Sequence, residues 1–200
     1  MTFKGYPYDI CYIEENTVAV TLPDSHQILK INLVNREITT TITRKKSYCF
    51  GIDSNGETIV TLERRDLKAY ATFLDLAGKK LRCIKKNGLF WECVTVYGGK
   101  LYCTDWRRNK VLCMDENGDK VWEIDNELIN PRGIGVDNNQ FIYVACKNNV
   151  NIISPDGVTS RIILPEADGI KNANSIFVDR NSQTLLVSNM RDGNAFVFDI

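Results

Sequence analysis

NPRGIGVDNNQFIYVACKNNVNIISPDG, residues 130–157, holds three short runs rich in β-branched and aromatic residues: RGIGV, FIYVAC and VNIIS. Polar turn-forming groups separate them, Asp137-Asn138-Asn139, Lys147-Asn148-Asn149 and Asp156-Gly157. This is the composition of an antiparallel meander of short strands. Nothing over ten residues elsewhere in the chain carries a convincing 3.6-residue apolar period, so helices are not expected.

The same layout recurs along the chain. PYDICYI, CFGIDSNG, WECVTVYGG, PRGIGVDNN and NSIFVDRNS are equivalent first strands, and their anchors Ile10, Ile52, Val94, Ile134 and Ile176 lie 42, 42, 40 and 42 residues apart. Second strands follow in TVAVT, TIVTL, LYCTD, FIYVAC and TLLVSN, and third strands in QILKINL, AYATFLDL, KVLCMD, VNIISP and AFVFDI. Fourth strands follow in REITTTI, KKLRCI, KVWEI and TSRIIL, so the last copy ends after its third strand. Gly98-Gly99 is a strong two-residue hairpin turn, and Asn55-Gly56, Asn117-Gly118 and Asp156-Gly157 mark others. Four strands in about forty residues is the pattern of a β-propeller, in which each blade buries its faces against its neighbours. The expected fold is all-β: one propeller domain over residues 1–200 with four-stranded antiparallel blades. Its repeats fall at about 7–43, 48–84, 90–125, 130–164 and 173–200. A β-solenoid is the alternative, but its coils are shorter.

The wording of the repeats resembles a known family. Asn130–Gly157 is similar to an NHL repeat, with its Pro-x-Gly-Ile-x-Val-Asp opening, short turn, Ile-Tyr-Val strand and closing Asp-Gly. The first repeat, PYDICYIEENTVAVTLPDSHQILKINL, looks like the C-terminal propellers of tripartite-motif proteins, especially the expanded molluscan sets. The Asn-His-Leu of the family's name is replaced by Asn148-Asn149-Val150 and Asn109-Lys110-Val111, and the second repeat, LERRDLKAYATFLDL, departs furthest. The resemblance implies a six-bladed type of which this sequence is a fragment. It also implies RING, B-box and coiled-coil segments elsewhere in the parent. Ubiquitin-ligase activity would belong to the RING, while this chain selects the substrate and is not itself an enzyme.

Composition narrows the function classes. Lys plus Arg and Asp plus Glu number 25 each, so net charge gives no bias toward nucleic acid or acidic membranes. The N-terminus MTFKGYPYDICYIEENTVAV lacks a basic-then-apolar leader and no apolar run reaches membrane-spanning length. A cytoplasmic location without membrane attachment is expected. Seven cysteines are then expected to be reduced thiols serving as small apolar side chains. Cys83, Cys93, Cys103 and Cys113 recur every ten residues because each falls on one strand, not because they form a metal cluster. His26 is the only histidine and sits in a polar loop, where a solvated ring is expected; no P-loop, no G-x-S-x-G and no C-x-x-C occurs. No cofactor is expected. Asp53, Asp137 and Asp179 recur after the first strand. They are expected to accept backbone N–H bonds in their turns, with a metal-dependent lactonase-like hydrolase as the chemical alternative.

Sorting charges by loop gives a candidate site. In an antiparallel blade the loops joining strands 2–3 and 4–1 share one face. That face receives Arg44, Lys45, Lys46, Arg64, Arg65, Lys68, Lys85, Lys86, Arg107, Arg108 and Lys110, against Asp24, Glu63, Asp66, Asp105 and Glu127. The 1–2 and 3–4 loops collect Glu14, Glu15, Asp53, Glu57, Asp115, Glu116, Asp119, Asp137, Asp156 and Asp179. Tyr48, Phe90, Trp91 and Trp106 neighbour the basic residues. The expected ligand-binding set is Arg44, Lys45, Lys46, Arg64, Arg65, Lys85, Lys86, Trp106, Arg107 and Arg108. A protein or peptide ligand is the leading expectation. Single-stranded RNA, held by basic side chains and stacked rings, is the alternative.

Overall fold

A computed structural model of the chain describes residues 2–66, 68–87, 91–125 and 127–200, with 86 and 87 described in their backbone alone. It is all-β, and consecutive strands pair antiparallel within five up-and-down sheets, the strand order of propeller blades. Blade 1 comprises β1 (Ile10–Glu14), β2 (Thr17–Leu22), β3 (Gln27–Asn32) and β4 (Glu37–Thr43). Blade 2 comprises β5 (Tyr48–Ser54), β6 (Thr58–Arg65), β7 (Lys68–Asp75) and β8 (Lys80–Asn87). Blade 3 comprises β9 (Cys93–Tyr97), β10 (Lys100–Asp105), β11 (Lys110–Met114) and β12 (Lys120–Asp125). Blade 4 comprises β13 (Ile134–Val136), β14 (Ile142–Cys146), β15 (Asn149–Ile153) and β16 (Ser160–Leu164). Blade 5 has three strands, β17 (Ala173–Asp179), β18 (Thr184–Asn189) and β19 (Ala195–Asp199). Among the described residues the 3₁₀ turn Glu166–Asp168 is the one regular element the repeat pattern did not anticipate.

Each of the five anchors lies on a first strand, as the spacing requires. Two compact units divide the chain, Met1–Val96 and Tyr97–Ile200. Burial follows strand order. The second strands of blades 1–4 are buried along most of their length, TVAVTL of β2 throughout, IVTLE of β6, LYCTD of β10 and IYVAC of β14, whereas β18 alternates. The buried strands lose the alternation of a half-exposed sheet because both faces are covered. The fourth strands β4, β12 and β16 are exposed or half-buried apart from Ile42 and Ile124. In the first unit Cys11, Ile13, Ala19 and Ile28 pack on Cys49, Ile52, Ile59 and Leu74 from blade 2. In the second, Tyr143, Ala145 and Val150 pack on Ile176, Val178, Leu185 and Val187.

First strands approach one another closely, and glycine permits it. A Cβ on Gly51 would overlap the carbonyl oxygen of Glu92, and one on Gly133 would sit 2.6 Å from the backbone nitrogen of Ile176. Buried threonines on second strands add polar ties. Thr21 Oγ1 donates to the carbonyl oxygen of Phe50 at 2.7 Å, and Thr104 Oγ1 to that of Arg132 at 2.6 Å. Gly98 and Gly99 both have positive φ, 56° and 73°, as a two-residue hairpin turn demands.

Several expectations need correction. Arg64 and Arg65 close β6, Lys68 opens β7, Lys85 and Lys86 lie in β8, and Lys110 opens β11. These residues belong to strands because the β6–β7 ladder runs unbroken to the Arg65–Lys68 pair and β8 continues it to Asn87. Trp91 is 2% exposed, so it is a core side chain and offers no ring for stacking. His26 is not simply solvated: Nδ1 lies 2.9 Å from the Ser47 carbonyl oxygen, and its ring meets Tyr48 edge-on at 4.8 Å. Phe90 lies outside the described residues. All seven cysteines are free thiols. The ten-residue ladder places one on each of β8, β9, β10 and β11, from exposed Cys83 to buried Cys103 and Cys113. Burial pushes the Cys113 thiol up to about 11 and those of Cys49 and Cys146 to about 12, so they stay protonated near neutral pH.

Candidate functional site

Two places before the anchor, in the first strand or just ahead of it, each repeat has an entry residue: Tyr8, Phe50, Glu92, Arg132 and Asn174. The anchors are all apolar, whereas these entry residues differ in chemistry from repeat to repeat.

In the first unit three entry residues meet. The rings of Tyr8 and Phe50 are edge-to-face at 5.2 Å, and the Tyr8 hydroxyl donates to Glu92 Oε2 at 2.9 Å. Loss of water around the phenol oxygen, then the nearby Cys93 and Glu92, hold Tyr8 well above the usual tyrosine range. Arg64, at the end of β6, lies over the Phe50 ring at 4.6 Å and reaches Glu92 Oε1 at 3.6 Å. Aromatic ring, guanidinium and carboxylate thus share one cluster, in which the ring polarises toward the cation and the carboxylate neutralises it.

Neighbouring arginines are committed in the same way. Arg44, in the loop from β4 to β5, donates from Nε to Glu63 Oε1 at 2.7 Å, and Glu63 is 2% exposed. Arg65 Nη2 lies 4.0 Å from Glu63 Oε2, with its guanidinium over the Tyr70 ring. Arg44, Arg64 and Arg65, expected to face a ligand, are therefore paired within the fold. Lys45, Lys46 and Lys85 are exposed and make no ion pair with a described residue. The Lys86 side chain lies outside the described residues.

The second unit repeats the plan with different chemistry. β10 ends in buried Asp105, as β6 passes through buried Glu63, and the following residues are Trp106, Arg107 and Arg108. Trp106 is half-buried and Arg107 and Arg108 are exposed. The indole ring carries two guanidiniums, Arg107 at 5.2 Å and Arg132 at 5.0 Å. Arg132 Nη1 also lies within 3.4 Å of Asn174 Oδ1. Trp106, with Arg107, is thus brought beside Arg132, which in turn contacts Asn174; loop sorting missed both Arg132 and Asn174. Their signal was available in the sequence: one repeat-equivalent position whose chemistry does not repeat.

The recurring aspartates have backbone roles. Asp137 Oδ1 accepts the N–H groups of Asn139 and Phe141 at 2.9 Å each, and its Oδ2 the Tyr143 hydroxyl at 3.2 Å. Asp179 Oδ1 accepts the N–H groups of Asn181 and Ser182, and its pKa is lowered by the Ser182 hydroxyl first and by these N–H groups after it. Asp53 departs from the turn pattern. Its Oδ2 accepts the Thr95 hydroxyl at 2.9 Å and the Val96 N–H at 2.8 Å, tying blade 2 to β9. Asp9 makes the equivalent tie from blade 1, accepting the Ile52 N–H. Among the described residues no three His, Cys, Asp or Glu side chains come together in a group able to hold a metal. Among the described residues no helix is long and apolar enough to cross a membrane.

Comparison with known proteins adds the fold and nothing finer. No family model matches the chain. No curated protein matches it either. A crystal structure of a protein of unknown function from Bacteroides caccae matches the whole chain with a TM-score of 0.78, at 10% identity and over 80% of that protein's chain. With 1124 solved chains alike in fold, the β-propeller architecture is shown but does not choose among functions.

Proposed function

We propose that the chain is a recognition module that binds a protein or peptide ligand through its 2–3 and 4–1 loops. The observation that carries this reading is the set of entry residues. One repeat-equivalent position carries aromatic and acidic groups in the first unit and basic and amide groups in the second, and diverse polar and aromatic groups held by regular strands are what selective protein recognition uses. Exposed Lys45, Lys46, Lys85, Arg107 and Arg108 on the same loops and strand ends favour an acidic partner. The module has no reaction of its own in this reading, in keeping with the backbone roles of Asp53, Asp137 and Asp179.

The resemblance of Asn130–Gly157 to an NHL repeat supports a more specific assignment. We take the chain to be the substrate-selecting propeller of a tripartite-motif ligase, with ubiquitin transfer carried by a RING in the parent.

Selection of peptides from a displayed random library against the 200-residue protein tests the reading. Enriched peptides that bind the wild type and lose at least tenfold in affinity with Lys45→Glu/Lys46→Glu or Arg107→Glu/Arg108→Glu are expected. Two results would overturn it. One is binding of single-stranded RNA in place of peptides, with affinity falling steeply in salt. The other is a divalent metal retained through chelation and lost in Asp137→Ala.

A further inference from the structure

The two units solve one electrostatic problem differently. In the first, an arginine stacked on an aromatic ring receives a carboxylate from the chain itself: Arg64 over Phe50, with Glu92 at 3.6 Å. In the second, Arg132 is stacked on Trp106 at 5.0 Å, and its one polar side-chain contact among the described residues is the amide oxygen of Asn174 at 3.4 Å. No carboxylate of the described residues reaches it.

Arg132 is nevertheless held firmly. Its N–H donates to the Ala145 carbonyl oxygen at 2.8 Å, its own carbonyl oxygen accepts Thr104 Oγ1 at 2.6 Å, and indole and amide fix its guanidinium. A half-buried guanidinium with most of its five donors uncommitted, fixed in place beforehand, is arranged for a planar two-oxygen acceptor. A further observation points to the same ligand. Trp106 Nε1 is itself buried without a protein acceptor among the described residues, leaving one more donor in the cluster.

We propose that Arg132, Trp106 and Asn174 form a carboxylate-binding site that receives an aspartate or glutamate side chain of the partner. This rests on the recognition reading above and names the group recognised. A carboxylate is favoured over a nucleic-acid phosphate because this fold already satisfies its stacked arginines with carboxylates, at Arg64–Glu92 and Arg65–Glu63. A phosphate backbone instead requires a continuous run of unpaired cations.

The test uses the full 200-residue protein and two capped hexapeptides, one with two central glutamates and one with glutamines in their place. The ¹⁵N indole resonance of Trp106, identified by its loss in Trp106→Phe, reports binding directly. The glutamate peptide should shift that resonance saturably and the glutamine peptide should not. Arg132→Gln should weaken the response at least tenfold, Arg132→Lys should weaken it less, and Arg161→Gln should leave it unchanged. An equal response to both peptides overturns the site, as does a shift of equal size from inorganic phosphate or a single-stranded RNA oligonucleotide. The peptide comparison on the wild type decides the matter even if Arg132→Gln fails to fold. Should library-selected peptides bind the loops yet ignore Arg132→Gln and Arg132→Lys, the carboxylate site fails and the recognition reading stands. Should no peptide bind at all, both fail.

Discussion

Arg44 Nε and Glu63 Oε1 meet at 2.7 Å, joining the loop that enters blade 2 to the far end of that blade's second strand. Glu63 is fully buried at its carboxylate, so the pair cannot be exchanged for water. Breaking such a pair leaves an uncompensated buried charge. Glu63→Gln should therefore cost about 3 kcal/mol in denaturant unfolding. The double variant Arg44→Gln/Glu63→Gln should cost less than the sum of its parts. Lys45→Gln, on an exposed neighbour, should change stability by no more than about 0.5 kcal/mol.

The glycines separate close approach from turn strain. Gly133→Ala places a methyl 2.6 Å from the Ile176 nitrogen, against backbone that cannot step aside, and should cost about 2–3 kcal/mol. Gly56 has φ +90° and nothing within 4 Å, so Gly56→Ala should cost only about 1 kcal/mol through its backbone conformation. Chemical unfolding of the two variants side by side checks the order.

Asp9 makes stability depend on pH. Burial pushes its carboxyl up to about 7, against the N–H groups of Ile52 and Ile10, which pull it down, and with the Asp53 charge adding to the rise. An unfolded aspartate titrates near 3.9, so between about pH 4 and 7 the folded chain holds more protons than the unfolded one. Stability from this group is full below about pH 4 and falls as pH rises toward 7. Asp9→Asn should remove that slope in thermal unfolding followed from pH 4 to pH 8.

Phe177, Leu186 and Val197 stand directly opposite one another across β17, β18 and β19, and all three are exposed. An apolar row on a three-stranded sheet with an edge strand favours association between chains. Leu186→Lys should reduce concentration-dependent self-association in sedimentation, with little change in the unfolding midpoint.

Most of the strand plan was legible in the sequence because it rests on local signals. Ile10, Ile52, Val94, Ile134 and Ile176 mark first strands by spacing alone, and Gly98-Gly99 fixes its turn by its own backbone freedom. The electrostatics were less legible because pairing is set between repeats. Arg65 has Glu63 two residues away on its own strand, but nothing local to Arg44 or Arg64 says which carboxylate neutralises it, since Arg44 reaches Glu63 from the loop before β5 and Glu92 reaches Arg64 from the next repeat. Arg132 was invisible for the same reason. Loop sorting weighs charges one loop at a time, and its relation to Trp106 exists only once blades 3 and 4 are packed. Asp53 also looked like a turn residue until its oxygen was seen on Thr95 and Val96.

Hydrogen exchange of the protein with and without a library-selected peptide tests the central claim most directly. The account predicts protection of amides in the 2–3 and 4–1 connections, at residues 44–47 and 105–109 and around 130–133, with the opposite turns at 54–58, 115–119 and 154–159 unchanged. Protection confined to those opposite turns, or none anywhere at saturating peptide, would contradict it.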